Sequence, residues 1–249
     1  MEQASIYDQE IHLLTRLSET YTPEERELLV WDGLCGEDIH ARTNDRSVHE
    51  NQWRSSTRRI LILGKEPNGN EGEDYREFLR ADATDSFCRV AGYWIDGIMR
   101  ATKDWCPNYW DINERKDIFN LYPFAFVNVK KLPGGAASDW DSIWSAAERD
   151  QQFLREQIRD ILAPNIIVCC GSNDSGIEYT KMISIAKQYI FPDIASEFKK
   201  INNWCYYNAD NDLLLIDSYH PSARMSDEDK VNGLVEAFHE FLIKSNVDW

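Results

Sequence analysis

ILILGKEPNG, residues 60–69, decides the fold in its first half and poses a chemical question in its second. Four consecutive apolar residues lack the in/out alternation of a half-exposed strand, so they describe a strand covered on both faces. At Gly64 the run breaks into a turn carrying Lys65, Glu66, Pro67, Asn68 and Gly69. Counting Arg59, the first run is RILIL (59–63), and three more resemble it: FAFVNV (124–129), NIIVCC (165–170) and LLLID (213–217). Helix-like segments separate them at about 74–80, 86–103, 141–162 and 174–188, and Asp227 opens a last amphipathic stretch over 227–245. Strands alternating with helical connections imply right-handed crossovers and a parallel sheet. The expected fold class is α/β, a three-layer α/β/α sandwich with a central four-stranded parallel sheet.

Ahead of the first run, residues 7–20 set Ile11, Leu13, Leu14 and Leu17 at helical spacing. Thr22-Pro23-Glu24-Glu25 has the composition of a helix start and predicts a second helix over about 23–31. Residues 35–57 are polar and irregular, which predicts a loop or connection. The chain thus divides into an N-terminal helical extension and irregular segment (1–57) and an α/β domain (58–249).

With 43% hydrophobic and 12% aromatic residues, the chain has ample material for a packed core. No apolar stretch approaches the ~18–20 residues of a membrane helix, and MEQASIYDQE lacks the features of a signal peptide. The expectation is a soluble, cytoplasmic monomer without a membrane partner. Its six cysteines form no recurrent metal spacing, so no metal and no cofactor are expected. Adjacent Cys169 and Cys170, in an apolar run, are read as small buried hydrophobes. The net charge of −16 argues against tight non-specific binding to nucleic acid, although local charge at a site is what counts.

Ligands of an open parallel sheet bind outside the carboxyl ends of its strands. Read in that light, the four runs end in GKEPNG with Glu66 and Asn68, in Asn128 followed by Lys130, Lys131 and LPGG, in the Gly-rich GSNDSG, and in DSYHPSAR with Asp217, His220, Ser222 and Arg224. Taken singly, each has a plain explanation: Glu66 as a surface turn residue, Asn128 satisfied by a backbone group, His-Pro as a turn. The glycines at 171–176 match neither a dinucleotide fingerprint nor a P-loop. What argues for a site is that a carboxylate, an amide and a histidine all converge on one edge.

These blocks, in this order over about residues 59–242, resemble the uracil-DNA glycosylase superfamily. GKEPNG is similar to the family's first motif, of the form G-Q-D-P-Y or G-E-x-P-G. FVNVKKLPGG resembles its middle strand, whose asparagine reads the base edge. FLREQIRDILAPNIIVCCGS is similar to a helix-plus-strand block of the iron–sulfur branch, and SYHPSAR resembles the H-P-S motif.

The resemblance implies a monofunctional N-glycosylase, a hydrolase of DNA base excision repair acting on uracil or a related deaminated base flipped from DNA. It implies Glu66 and His220 as catalytic residues. Glu66, where the first-motif family carries Asp, would orient water and stabilise an oxocarbenium-like sugar, and neutral His220 would stabilise charge developing on uracil O2. Asn128 would pair with O4 and N3–H, a pattern that cytosine inverts. Phe78 would stack on the base, with Tyr75 and Phe87 as further candidates. Lys65, Lys130 and Ser222 would contact phosphates, and Arg224 or Met225 would fill the vacated space in the DNA.

Two departures stand out. The base-facing position two residues after the acid is Asn68, where the efficient branch carries the Tyr that blocks the thymine methyl. Cys35 has no partners at cluster spacing, so no iron–sulfur cluster is expected. The alternative within the fold is a catalytically altered member that binds a nucleobase, nucleotide or modified nucleic acid. An unrelated hydrolase pairing Glu66 with His220 lacks a nucleophile elbow or metal-ligand cluster.

Overall fold

The apolar runs form strands because each buries both faces. The computed structural model describes residues 4–35, 47–69, 71–76, 86–112, 118–135, 138–171, 181–245, 247 and 249. In it β2 (Ile60–Gly64), β3 (Phe124–Asn128) and β4 (Ile166–Cys170) are buried at every position. With β7 (Leu213–Ser218) they pair in parallel in the order β3-β2-β4-β7.

The sheet is larger than the four parallel strands expected. It is a mixed sheet of seven, ordered β1-β3-β2-β4-β7-β6-β5, with β1 (Gly33–Cys35), β5 (Lys199–Lys200) and β6 (Cys205–Asn208) joined antiparallel at the flanks. These additions are two to four residues long, too short for a periodic signal.

Helices cover both faces, and two short ones, α5 (Tyr109–Ile112) and α6 (Ile118–Leu121), lie in the connection from β2 to β3. α4 (Ser86–Arg100) and α9 (Asp227–Ser245) bring Trp94, Ile95, Leu234 and Phe238 against Ile60, Ile62, Phe126 and Ile216. α7 (Trp140–Arg155), its π-helical continuation Glu156–Leu162 and α8 (Met182–Ile185) pack Ile143, Leu154, Ile158 and Ile185 against Leu61, Val127, Ile167 and Leu215. Alternate residues of each strand thus feed separate layers. The chain runs from β2 to β3 by way of α4 and from β3 back across to β4 by way of α7, on the opposite face, as a constant crossover hand requires. Neighbouring strands β2 and β4 therefore lead away in opposite directions, and the crevice between their carboxyl ends is the topological switch point. No described helix is long and apolar enough to cross a membrane.

The N-terminal segment departs from expectation in two places. α1 (Ile6–Ser18) forms as its spacing predicts, but α2 spans only Pro23–Arg26. Beyond it the backbone is drawn into extended pairing, with Val30 N–H donating to Lys131 O (3.0 Å) and Trp31 N–H to Glu73 O (2.9 Å). Part of the expected loop is a helix, α3 (Ser47–Ser55). It holds because Trp53 is 1% exposed and donates Nε1–H to Leu162 O at 2.8 Å.

Beneath this junction lies a buried set of charges: Glu10, Asp32, Arg76 and Lys131, with Gln157 between them. Gln157 donates to Glu10 Oε1 (3.3 Å) and to Asp32 O (2.8 Å), and accepts from Lys131 Nζ (3.2 Å). Burial pushes the Glu10 carboxyl up to about 7, against the opposing pull of Arg76 and the Leu34 N–H. Because the native state holds this proton above the pH at which the unfolded chain releases it, the Glu10 contribution is fully present below pH ~4.5. It is lost as pH rises towards 7. Glu10→Gln is expected to flatten that part of the profile, so that the gap in unfolding free energy between wild type and variant changes by ~3 kcal/mol between pH 4.5 and 7. Urea titrations across that range check it, and a pH-independent gap would remove Glu10 as the source.

Candidate active site at the carboxyl edge of the sheet

Glu66 leaves β2 two residues past its last ladder position and is locked from the β3 side. Val129 N–H donates to Gly64 O (3.0 Å), Lys130 N–H to Lys65 O (2.9 Å) and Gly134 N–H to Pro67 O (2.8 Å). Asn68 and Gly134 also form a parallel bridge, which zips the GKEPNG turn to the LPGG turn. The Glu66 side chain is 5% exposed, and Lys130 Nζ donates to its Oε2 at 2.7 Å. Gly134 makes this seating possible, since a Cβ there would stand 2.1 Å from Glu66 Cδ. Lys130 occupies Oε2, leaving Oε1 for a water or a substrate.

Asn128, the last residue of β3, is 1% exposed. Its backbone N–H donates to Asp32 Oδ2 (2.8 Å), while its side-chain Nδ2 has no hydrogen-bond partner among the described residues. Gly64, its neighbour in register on β2, lacks the Cβ that would lie 2.6 Å from Asn128 Oδ1. A buried amide donor left without an acceptor is costly unless a ligand supplies one.

His220 follows β7 in a tight turn closed by Ala223 N–H on His220 O (2.8 Å). Ser222 N–H donates to His220 Nδ1 at 3.2 Å. That nitrogen is therefore the acceptor of a neutral ring, and Nε2 carries the hydrogen. Burial, helped by the nearby charges of Lys65 and Lys230, pushes the imidazole down to about 4. Phe87 packs on the ring (centroids 5.5 Å) and meets Phe126 edge-on (5.4 Å), and Tyr75 also packs on Phe126 (5.8 Å).

Lys65 lies across the switch point. Its methylenes rest over Gly171 at the end of β4, and its ammonium faces the Trp140 ring at 5.4 Å. Burial lowers its pKa, with Glu66 pulling the other way. Asn68, Ser222 and Arg224 are exposed and Met225 is half-buried. Met225 N–H is bonded to Ala223 O (2.8 Å).

The edge thus unites Glu66, Asn128, His220 and Lys65 as their strand-end positions predict. Lys130, read from sequence as a phosphate contact, has its ammonium on Glu66 instead. Phe78 lies outside the described residues, as do 77–80 of the expected first helix and 172–176 of the Gly-rich turn. Phe87, another of the aromatic candidates, is in contact with His220.

Sequence reasoning did not single out Gly134, Asp32 or Lys230. Gly134 sits in the quoted LPGG turn, and its proximity to Glu66 depends on a bridge between distant loops. Among the described residues no group of three His, Cys, Asp or Glu side chains could hold a metal ion. Neither a protein-family model nor a curated protein matches the chain, so the site is interpreted on its own geometry.

Proposed function

We propose that the chain is a DNA glycosylase that hydrolyses the N-glycosidic bond of uracil or a related deaminated base flipped into the crevice at the carboxyl edge of the sheet. The observation that carries this reading is the orphaned, buried Asn128 amide on the edge where a carboxylate and a neutral imidazole also converge. A pyrimidine with a keto oxygen at O4 and a hydrogen on N3 would satisfy both ends of that amide.

In the reaction, the C1′–N1 bond breaks with its electron pair leaving on the base. His220 donates Nε2–H towards O2, where negative charge develops, and the neutral ring stabilises that charge by a hydrogen bond. Glu66 holds the attacking water through Oε1, stabilises the cationic sugar and receives the water's proton as the C1′–O bond forms. Lys65, Ser222 and Arg224 would serve the phosphates, and Arg224 or Met225 the gap in the stack.

The test is base release from single- and double-stranded oligonucleotides carrying uracil, hypoxanthine or xanthine. Release of any of these is expected, and none at micromolar protein would end the proposal. Because His220 stays neutral down to about pH 4, the rate is expected to hold from pH 8 to 5. A fall centred near 6.5 would show an ordinary, protonating histidine and refute the assigned role. His220→Ala is expected to slow release by ~10²-fold or more.

A second reading, a base- or nucleotide-binding protein without hydrolysis, is favoured by the Glu66–Lys130 pair, in which the ammonium on Oε2 offsets the negative charge that hydrolysis would use. It predicts saturable binding of uracil-containing oligonucleotide or free nucleotide with no base released.

A further inference from the structure

Lys230 is a lysine in the first turn of α9 that is 3% exposed, an unusual place for an ammonium group. Each of its three donors is engaged: on Pro221 O at 2.8 Å, on Ala223 O at 3.4 Å and on Asp227 Oδ1 at 2.8 Å. Two of those acceptors are carbonyls of the loop that follows His220. The third leads onward, because Arg89 of α4 holds Asp227 Oδ2 through both Nε (3.0 Å) and Nη2 (2.7 Å). Two residues before Arg89 on the same helix is Phe87, whose ring packs on the imidazole. Trp94 Nε1–H donates to Lys230 O (2.9 Å) and fixes α9 against α4 at this level.

We propose that Lys230 is the positioning residue for His220. Its ammonium ties the His-Pro-Ser-Ala loop to α9 and, through Asp227 and Arg89, to the helix that carries Phe87, and it sets a positive charge near the ring. This rests on the base-excision reading for its catalytic meaning, but the geometry stands without it. The two loop carbonyls share one side-chain donor group, and a histidine meant to donate while neutral benefits from a neighbouring positive charge that repels a second proton. Lys230 supplies both from one atom. Among the described residues the charged groups around the loop include Lys65 from the end of β2, Asp217 of β7 with its partner Lys181, Arg224 of the loop itself, Lys230 and Asp227 from α9, and Arg89 from α4, with the Glu66–Lys130 pair next to Lys65.

The experiment is a proton–nitrogen NMR titration of the histidine rings, with His220 assigned by loss of its signals in His220→Asn, run alongside base-release kinetics. Lys230→Met is expected to raise the His220 midpoint by about one pH unit and to cut the rate constant ~10-fold at pH 7 with little change in KM. Lys230→Arg is expected to restore both. Should Lys230→Met fail to fold, Lys230→Gln carries the test, since it keeps donors for the carbonyls but removes the charge, and the same upward shift is expected. A variant that melts earlier yet titrates His220 at the wild-type midpoint would reduce Lys230 to a structural prop and overturn the proposal. The titration needs no substrate, so a wild-type protein that releases no base sinks the glycosylase reading while leaving the assignment of Lys230 to be decided by the midpoints.

Discussion

Replacing Glu66 with Gln is expected to slow base release by ~10³-fold, a loss of about 4 kcal/mol of transition-state stabilisation. The variant is chosen because it keeps shape. The amide fits the same seat against Gly134, where no Cβ intrudes, and its oxygen can still accept from Lys130 Nζ. What it loses is the negative charge facing the sugar and the ability to take a proton from water. The binding reading predicts the opposite: Glu66→Gln should then leave affinity for the uracil-containing strand within a few-fold. Single-turnover assays with protein in excess separate the two, because they report chemistry without product release. A Glu66→Gln protein that releases uracil within threefold of the wild-type rate would rule out Glu66 as the water-holding carboxylate.

The shared edge of Glu66, Asn128 and His220 was legible in sequence because it depends on position along a strand. Each lies at or just past the carboxyl end of an apolar run, and in a parallel sheet all such ends share one edge. The four runs were visible because burial on both faces removes alternation. The flanking strands left no such mark. Gly33–Cys35 pairs with β3 only because α1 and the Gln157 network bring it there, and Lys199–Lys200 is an exposed two-residue strand held by Tyr206 and Tyr207.

Lys230 illustrates what periodicity cannot show. In sequence it follows Asp227, Glu228 and Asp229 and looks like part of the solvated start of an amphipathic helix. Its burial follows from the His-Pro turn folding back over it and offering two carbonyls. Lys130 shows the complementary limit. A lysine after a strand suits a phosphate as well as a carboxylate, and the bridge between Asn68 and Gly134 is what sets it beside Glu66.

Asp32→Ala is expected to cost about 3–5 kcal/mol of unfolding free energy, the range for breaking one side of a buried ion pair. Asp32 is fully buried and serves three groups: its Oδ1 accepts from Lys131 Nζ, its Oδ2 from the Asn128 N–H at 2.8 Å, and its backbone carbonyl from Gln157. Removing the carboxylate leaves Lys131, 2% exposed, on Gln157 Oε1 (3.2 Å), and strips the Asn128 N–H of its partner. Burial already pushes the Asp32 carboxyl up, with Lys131 the main force holding it down, so the two groups are stable in this interior only as a pair. The double variant Asp32→Ala/Lys131→Met should therefore be less damaged than Asp32→Ala alone, since no isolated charge remains. Denaturant titrations of the four proteins close the cycle. A loss under 1 kcal/mol for Asp32→Ala would mean that water reaches Lys131 and that the cluster is not dry. If the cost is as large as expected, it also bears on chemistry: the bond lost from Asn128 fixes the backbone whose side chain holds the orphaned amide, so base release should fall in Asp32→Ala under conditions where the protein is still folded.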